Sequence, residues 1–256
     1  MSGDWRLVCR PIHALLIAVA LAGCAGPDTA RLPEEPPMHT IAEFRDQKIA
    51  DVNDPLEGFN RSMYKFNFYF DKYFFLPVVN SYEFITPTFV QDRISSFFNN
   101  IAEVRNLSNS LFQLKFTESA TTLGRFVTNS TIGLAGLFDP ATGLGLAQHR
   151  EDFGMTLGYW GSGSGPYLVL PVLGPSGVRD TAGMAVDSGI RYGIYYAFDP
   201  FGNMDYGDAV TSGITTLEAV DKRHRDSFRY YESGYPFEYY MVRFLYHEKR
   251  ELDIRK

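Results

Sequence analysis

Apolar residues between Phe59 and Phe75 fall on two opposite faces of a helical projection, and this double stripe is the strongest pattern in the chain. Phe59, Met63, Phe66, Phe70, Tyr73 and Phe74 share one face, while Tyr64, Phe68 and Phe75 lie nearly opposite. Arg61, Lys65 and Lys72 form a narrow basic wedge. Asp54-Pro55-Leu56-Glu57 supplies the start signal: an N-cap acid, proline at the first helical position and an acid three residues after the cap. A helix apolar on two sides has to be buried on two sides. In water that places it in the middle of a bundle. At a membrane it places protein on one side and lipid tails on the other, with the lysines reaching toward headgroups.

Helical periodicity resumes over residues 95–115 through Phe97, Ile101, Val104, Ser108, Leu111 and Phe112, and further helices are predicted over 118–129, 211–229 and 236–252. Residues 39–51 have the pattern of a short helix. Strand signals are sparse: residues 167–172 form one apolar run between Gly165-Pro166 and Gly174-Pro175, read as a strand or an extended crossing. The class is mainly α. No segment after residue 24 has the run of about 20 apolar residues that a membrane-spanning helix needs.

The amino terminus has a different pattern. Arg6 and Arg10 precede an apolar stretch from Ile12 to Leu21 broken only by His13, which is the form of a secretory signal peptide. Leu21-Ala22-Gly23-Cys24 then places a cysteine directly after small residues, the pattern that bacterial lipoprotein processing acylates and cleaves. The expected division is a signal peptide over 1–23, a lipid anchor and linker over 24–53, and a helical domain over 54–256. Cys24 is the expected lipid attachment site, and two or three acyl chains there hold essentially permanently at about 0.8 kcal/mol per buried methylene. Ala25, rather than an aspartate, follows the cysteine, which favours the outer membrane. Pro27, Pro33, Pro36 and Pro37 mark residues 25–38 as a tether. The stretch from Cys24 to Asp54 reaches at most ~100 Å when extended.

Composition sharpens the picture in two ways. Aromatic residues make up 15% of the chain, with 21 Phe and 16 Tyr against 2 Trp, which fits either a membrane boundary or a large aromatic core. The net charge of -6 argues against nucleic acid, which needs a basic face. Cys9 leaves with the signal and Cys24 carries lipid, so no disulfide is expected.

Catalytic signatures are missing. Asp152-Phe153-Gly154 resembles the metal-binding triplet of protein kinases but lacks the accompanying loops. Gly161-Ser162-Gly163-Ser164-Gly165 has its serines in the wrong places for a nucleophile elbow. His149, His224 and His247 are too dispersed for a zinc site. Asp139, Asp152, Asp180 and Asp187 read as helix caps or as partners of Arg150 and Arg179. No enzyme activity, metal or cofactor beyond the covalent lipid is expected.

Several ordered blocks resemble the VacJ/MlaA family of outer-membrane lipoproteins, which act in the pathway maintaining lipid asymmetry. The first is Asp54-Pro55-Leu56-Glu57-Gly58-Phe59-Asn60-Arg61 with Met63-Tyr64 and Phe66-Asn67. Arg125-Phe126-Val127 with Asn129 follows, then Gly133 to Pro140. The densest runs from Asp152-Phe153-Gly154 through Leu157-Gly158, Gly161 and the Gly165 to Pro171 run to Gly174-Pro175-Ser176, Arg179-Asp180, Gly183 and Asp187. Val104 stands where the family has a kinking proline, and Leu114 where it has a helix-ending glycine, so straight helices are expected there. Residues 190–207 are unlike the relatives and receive no functional residue.

The resemblance implies a ring-like single domain of amphipathic, interfacial helices around a central amphipathic channel, set in the inner leaflet of the outer membrane. Mislocalised phospholipids would leave the outer leaflet by that route for a soluble periplasmic lipid carrier, beside trimeric porins. By motif position, Met63, Asn67 and Phe68 are expected beside the channel, and Gly161 and Gly163 in a hairpin that influences opening. The alternatives are that these residues only pack and turn, that the protein is a porin-associated scaffold without transport, or that it is a lipid hydrolase using Ser162, Ser164 or Ser176.

Overall fold

A single helical rod runs from Glu57 to Ile85 in the computed structural model, which describes residues 52–198, 207–232 and 234–256 together with Pro33, Glu35, Pro36, Met38 and His39. It begins as α1 (Glu57–Phe70), passes through a π-helical turn (Asp71–Phe75) and continues as α2 (Leu76–Ile85). The π turn has a visible function in the packing. It sets buried Asp71 against Arg223, which donates from two nitrogens at 2.7 Å each. Thr86 is extended because Pro87 follows, and the rod ends there.

The next pair is α3 (Thr88–Phe112) and α4 (Phe116–Thr131), followed by the short α5 (Pro140–Gly143) and α6 (Phe153–Tyr159). Strands β1 (Tyr167–Leu170) and β2 (Gly174–Gly177) form an antiparallel hairpin with Tyr167 opposite Gly177 and Leu170 opposite Gly174. Then come α7 (Val178–Phe198), α8 (Gly207–Arg225) and α9 (Glu238–Ile254). Among the described residues no helix is long and apolar enough to cross a membrane.

The apolar run at 167–172 is a strand, and its partner Gly174–Gly177, which the sequence marked only as a boundary, completes a hairpin. Val104 lies inside an uninterrupted α3, as expected of a chain lacking the proline there. At Leu114 the expectation of a straight helix fails. The helix stops at Phe112 and Leu114 takes φ 58°, so leucine adopts the left-handed conformation that glycine adopts more cheaply. Helices α6 and α7 cross through paired glycines: a Cβ on Gly183 would lie 2.2 Å from the backbone nitrogen of Gly154. A Cβ on Gly154 itself would lie 2.7 Å from Asp180 Oδ1 and 2.9 Å from Asp180 Cα, which explains why the Asp152-Phe153-Gly154 triplet carries its glycine.

The tether reading of 25–38 changes at its end. Lys72 donates to the Pro33 carbonyl at 2.7 Å, Pro36 is buried and Met38 packs on the core, so this part of the linker lies on the domain. Cys24 and residues 40–51, where a short helix was expected, lie outside the described residues, as do residues 199–206 of the divergent segment.

Candidate functional site

The two halves of the molecule bury opposite chemistry. In the first, α1, the hairpin, α9 and the loop before it enclose Tyr64, Phe68, Leu76, Tyr167, Val169, Tyr230, Tyr231, Tyr239 and Tyr240. The tyrosine rings meet edge to face, with Tyr64 at 4.9 Å from Tyr230 and 5.4 Å from Tyr231. Several hydroxyls here are anchored, although that of Tyr167 is buried without a hydrogen-bond partner. Tyr64 donates to Glu238 at 2.8 Å, Tyr239 donates to Asp54, and Tyr246 donates to Asp180 at 2.7 Å. Burial, reinforced by the Glu238 charge, raises the Tyr64 hydroxyl far above the usual tyrosine range, so it serves only as a neutral donor.

Two asparagines of α1, seven residues apart, bind the hairpin to this core. Asn60 donates to the Tyr167 carbonyl at 3.0 Å and accepts from the Val169 amide at 2.9 Å. Asn67 does the same one step along, donating to Leu170 at 2.9 Å and accepting from Val172 at 2.7 Å. Each side-chain amide thus substitutes for one residue of a neighbouring strand along the free edge of β1. The second pair holds the hairpin tip, where the β-branched Val172 sits at φ 67°.

These contacts define where the expected channel residues lie. Phe68 is fully buried in the tyrosine core, Met63 is half-buried against it, and Asn67 is buried as the brace of the hairpin tip. Gly161 and Gly163 are exposed on the turn after α6, with open space around the position of a Cβ on each. Gly161 has φ 92°, a conformation glycine tolerates best, and it donates to Gly158 at 2.9 Å. In the same turn Ser164 Oγ lies 3.3 Å from His247 Nε2. The other ring nitrogen makes no hydrogen bond, and the acid beside it, the adjacent Glu248, stands 3.6 Å away, too far to orient the imidazole by a hydrogen bond as a hydrolase would require.

In the second half the inward faces are polar. Helix α3 buries Gln91, Asn100, Glu103, Asn106, Asn109 and Ser110, and α4 buries Ser119, Thr122, Arg125 and Asn129. A network links Glu103, Asn106, Asn109, Arg125 and Asn129 among them, whereas Thr122 Oγ1 and Asn100 Oδ1 have no hydrogen-bond partner. Arg125 donates to Glu103 at 2.8 Å and to Asp139 at 3.0 Å, and Asn106 donates to the other oxygen of Glu103 at 3.0 Å. The Glu151 amide donates to Asn106 at 3.2 Å, while its carboxylate accepts from Gln113 at 2.8 Å. Thr156 donates to Asn109 at 2.9 Å, and Asn109 donates to Asp187 at 2.9 Å. Burial alone raises the Asp139 carboxyl, but hydrogen bonds from Thr142, Asn129 and Arg125 outweigh it and bring the group down to about 2.

The outward faces of the same helices are apolar. Ile101, Leu111 and Phe112 on α3, Phe116, Leu123 and Val127 on α4, and Ile132, Leu134, Leu137 and Phe138 beyond it are all exposed, Phe116 by 67%. Phenylalanine outside and asparagine inside reverses the order that water imposes. The aromatic composition thus divides: buried rings are mainly tyrosines, and Phe59, Phe66, Phe74, Phe84, Phe89, Phe112 and Phe116 face outward. The large aromatic core that composition allowed is present, and the outward rings lie in both halves.

The polar network was legible in part. Three of the four acids expected as caps or ion-pair partners behave so: Asp139 and Asp152 cap α5 and α6, and Asp180 pairs with Arg179, whereas Asp187, inside α7, accepts from Asn109 and the Phe153 amide. Arg125 and Arg250 are the further partners, rather than Arg150. Glu103, Asn106, Asn109 and Gln113 escaped notice, although their spacing of three to four residues is a helical stripe; attention to apolar periodicity passed over a polar one.

Comparison with known proteins agrees with this architecture. The MlaA lipoprotein family matches residues 52–253. An uncharacterised protein of Rickettsia prowazekii is 36% identical over 152 residues, 59% of this chain and 61% of that protein, so the match spans about three fifths of the relative's length. The intermembrane phospholipid transport system lipoprotein MlaA of Haemophilus influenzae is 28% identical over 84% of this chain and 78% of its own length. A solved chain, described under the structural basis for maintenance of bacterial outer membrane lipid asymmetry, matches with TM-score 0.60 and 28% identity over 79% of this chain and 99% of that one.

Proposed function

The chain belongs to the MlaA lipoprotein family, and from that premise we propose that it is an outer-membrane lipoprotein, anchored through Cys24 at the periplasmic face, that removes mislocalised phospholipids from the outer leaflet through an amphipathic passage. A soluble periplasmic carrier receives the lipid, and a trimeric porin is the neighbour in the membrane. The names of the relatives, an intermembrane phospholipid transport lipoprotein among them, support the pathway.

The reversed burial of α3 and α4 is the observation that carries the reading. Exposed Phe116, Leu123 and Val127 need an apolar surrounding, which acyl tails provide. Moving a phospholipid through water exposes about thirty methylenes, on the order of 25 kcal/mol at ~0.8 each, and moving its charged headgroup through hydrocarbon is also prohibitive. A passive route must offer a polar path beside an apolar one, and a protein with polar groups within and apolar groups without has both kinds of surface. No step in this task needs a nucleophile.

Deleting the protein and measuring phospholipid in the outer leaflet tests the reading. An increase that returns to normal with the wild-type chain and not with Cys24→Ser is expected. Unchanged surface phospholipid alongside intact porin association would favour a scaffold instead. Ser164→Ala is expected to restore asymmetry fully, and its failure at normal abundance would reopen the hydrolase. Gly163→Pro, in open space on the turn after α6, is expected to alter surface phospholipid without lowering abundance.

A further inference from the structure

Arg93 stands apart from the arginines of the interior. Arg125, Arg179, Arg223, Arg243 and Arg250 each meet a carboxylate. Arg93, among the described residues, meets only rings. Its guanidinium lies 5.0 Å from the centroid of Phe89 and 4.6 Å from that of Phe138, and its Nε is enclosed without a hydrogen-bond partner.

The two rings come from separate segments, so Arg93 shows those segments to be neighbours. One is the joint between α2 and α3, where Phe84 is 92% exposed and Ile85, Phe89 and Val90 are exposed with it. Gln91 fixes this joint by donating to the carbonyls of Glu83 and Thr86. The other is the turn after α4, where Leu134 and Ala135 both take left-handed φ values and Ile132, Leu134 and Leu137 face outward. Together they make one apolar surface with the Arg93 guanidinium inside it; Glu83 and Asp92 are exposed on the same joint, but no ion pair joins either to Arg93 among the described residues. A guanidinium there is out of place in water-facing terms and costly at hydrocarbon depth. At the depth of lipid headgroups it is neither, because the phosphodiester supplies the missing anion and the fork of N–H donors fits its paired oxygens.

We infer that Arg93, held between Phe89 and Phe138, binds the phosphodiester of a bilayer phospholipid and sets the depth at which this face sits in the membrane. This rests on the membrane immersion proposed above. It differs from the transport task, since the site lies on the outside of the protein and its lipid is a neighbour rather than cargo.

The test uses the full lipidated chain in detergent micelles, titrated with short-chain phosphatidylglycerol, with diacylglycerol of the same tails, or with inorganic phosphate, and read by native mass spectrometry. Wild type is expected to retain phosphatidylglycerol, Arg93→Gln to weaken that binding about tenfold at an unchanged melting temperature, and Arg93→Lys to fall between. Diacylglycerol is expected to bind both proteins alike. Equal phosphatidylglycerol binding by wild type and Arg93→Gln overturns the assignment of Arg93. Inorganic phosphate binding as tightly as the lipid overturns the choice of ligand. Absence of any binding of either lipid to wild type overturns the immersion reading beneath it instead.

Discussion

The tyrosine half, which includes a hairpin, and the all-helical α3–α4 half differ most in what each hides. Around Tyr64 the interior is aromatic, and most of its polar atoms are tyrosine hydroxyls paired with carboxylates or asparagine amides paired with the hairpin backbone. Around Glu103 the interior is a hydrogen-bonded network and the leucines and phenylalanines stand outside. One half is stabilised by removing apolar surface from water. The other buries mostly polar side chains, so its cohesion depends on polar complementarity. The comparison teaches that burial of polar groups, more than amphipathicity as such, reports which solvent a helix faces.

The sharpest way to break that contrast is to remove the central cation of the polar half. Arg125→Met leaves Glu103 fully buried without its partner, and the expected loss is about 3–5 kcal/mol. Combining it with Glu103→Leu is expected to recover much of that, because a matched apolar pair replaces a matched ionic one. Chemical denaturation of the single and double variants in the same detergent reads both. If the single variant is as stable as wild type, the network is not what holds this half together.

A smaller effect is expected where the tyrosine half grips its hairpin. Asn67→Ala leaves the Leu170 carbonyl and the Val172 amide unpaired, at a cost of about 1–3 kcal/mol. The loss falls on the strained tip first, so amide exchange at Val172 and Leu173 is expected to rise before that of β2. Uniform acceleration along the hairpin would show that Asn67 packs rather than braces.

Acid separates the halves more weakly. Asp139, in the polar network, has a folded value of about 2 against about 3.9 for a free carboxyl. Its folded value is lowered, so its stabilisation is complete above pH 4 and is lost as pH falls toward 2. Its side chain is 36% exposed, so solvent screening keeps the effect small. Asp139→Asn is expected to flatten the fall in melting temperature between pH 4 and pH 2. An unchanged slope would assign the acid sensitivity to Asp152 and Asp180, whose carboxyls are also lowered against the rise that burial alone would cause, chiefly by hydrogen bonds from Arg250.

What could be read from the chain follows the same division. The helix at Phe59 was visible because apolar stripes are periodic, but Asp54 does not cap it: α1 starts at Glu57 with Leu56 at the cap position, and the Asp54 carboxylate instead accepts from Asn60, Tyr239 and Arg243. The lengths of α3 and α4 were off by several residues, since Thr88 follows a proline that no apolar period marks. The hairpin partner Gly174–Gly177 has almost no side-chain pattern, and only the backbone pairing and the bonds to Asn60 and Asn67 bring β1 and its neighbours into register. Which rings face inward was hidden for a different reason. Phe68 and Phe66 have the same chemistry in sequence, and tertiary contact with Tyr231 separates the buried ring from the exposed one.

The mildest substitution is the most direct comparison of the two halves. Leu123→Gln with Val127→Gln changes two exposed apolar residues one turn apart on α4, and neither contributes to the buried network. Folding stability in detergent is expected to stay within about 0.5 kcal/mol. In the tyrosine half even the isosteric Val169→Thr places a hydroxyl at a fully buried position and is expected to cost about 1–3 kcal/mol. On liposomes the order reverses. The double glutamine variant, made with Cys24→Ser so that acyl chains do not mask the result, is expected to bind vesicles several-fold more weakly, while Val169→Thr in the same background binds as its parent does. Equal vesicle binding by all three proteins would mean that the leucines of α4 do not touch lipid, and the reversed burial would then need a protein partner to cover it.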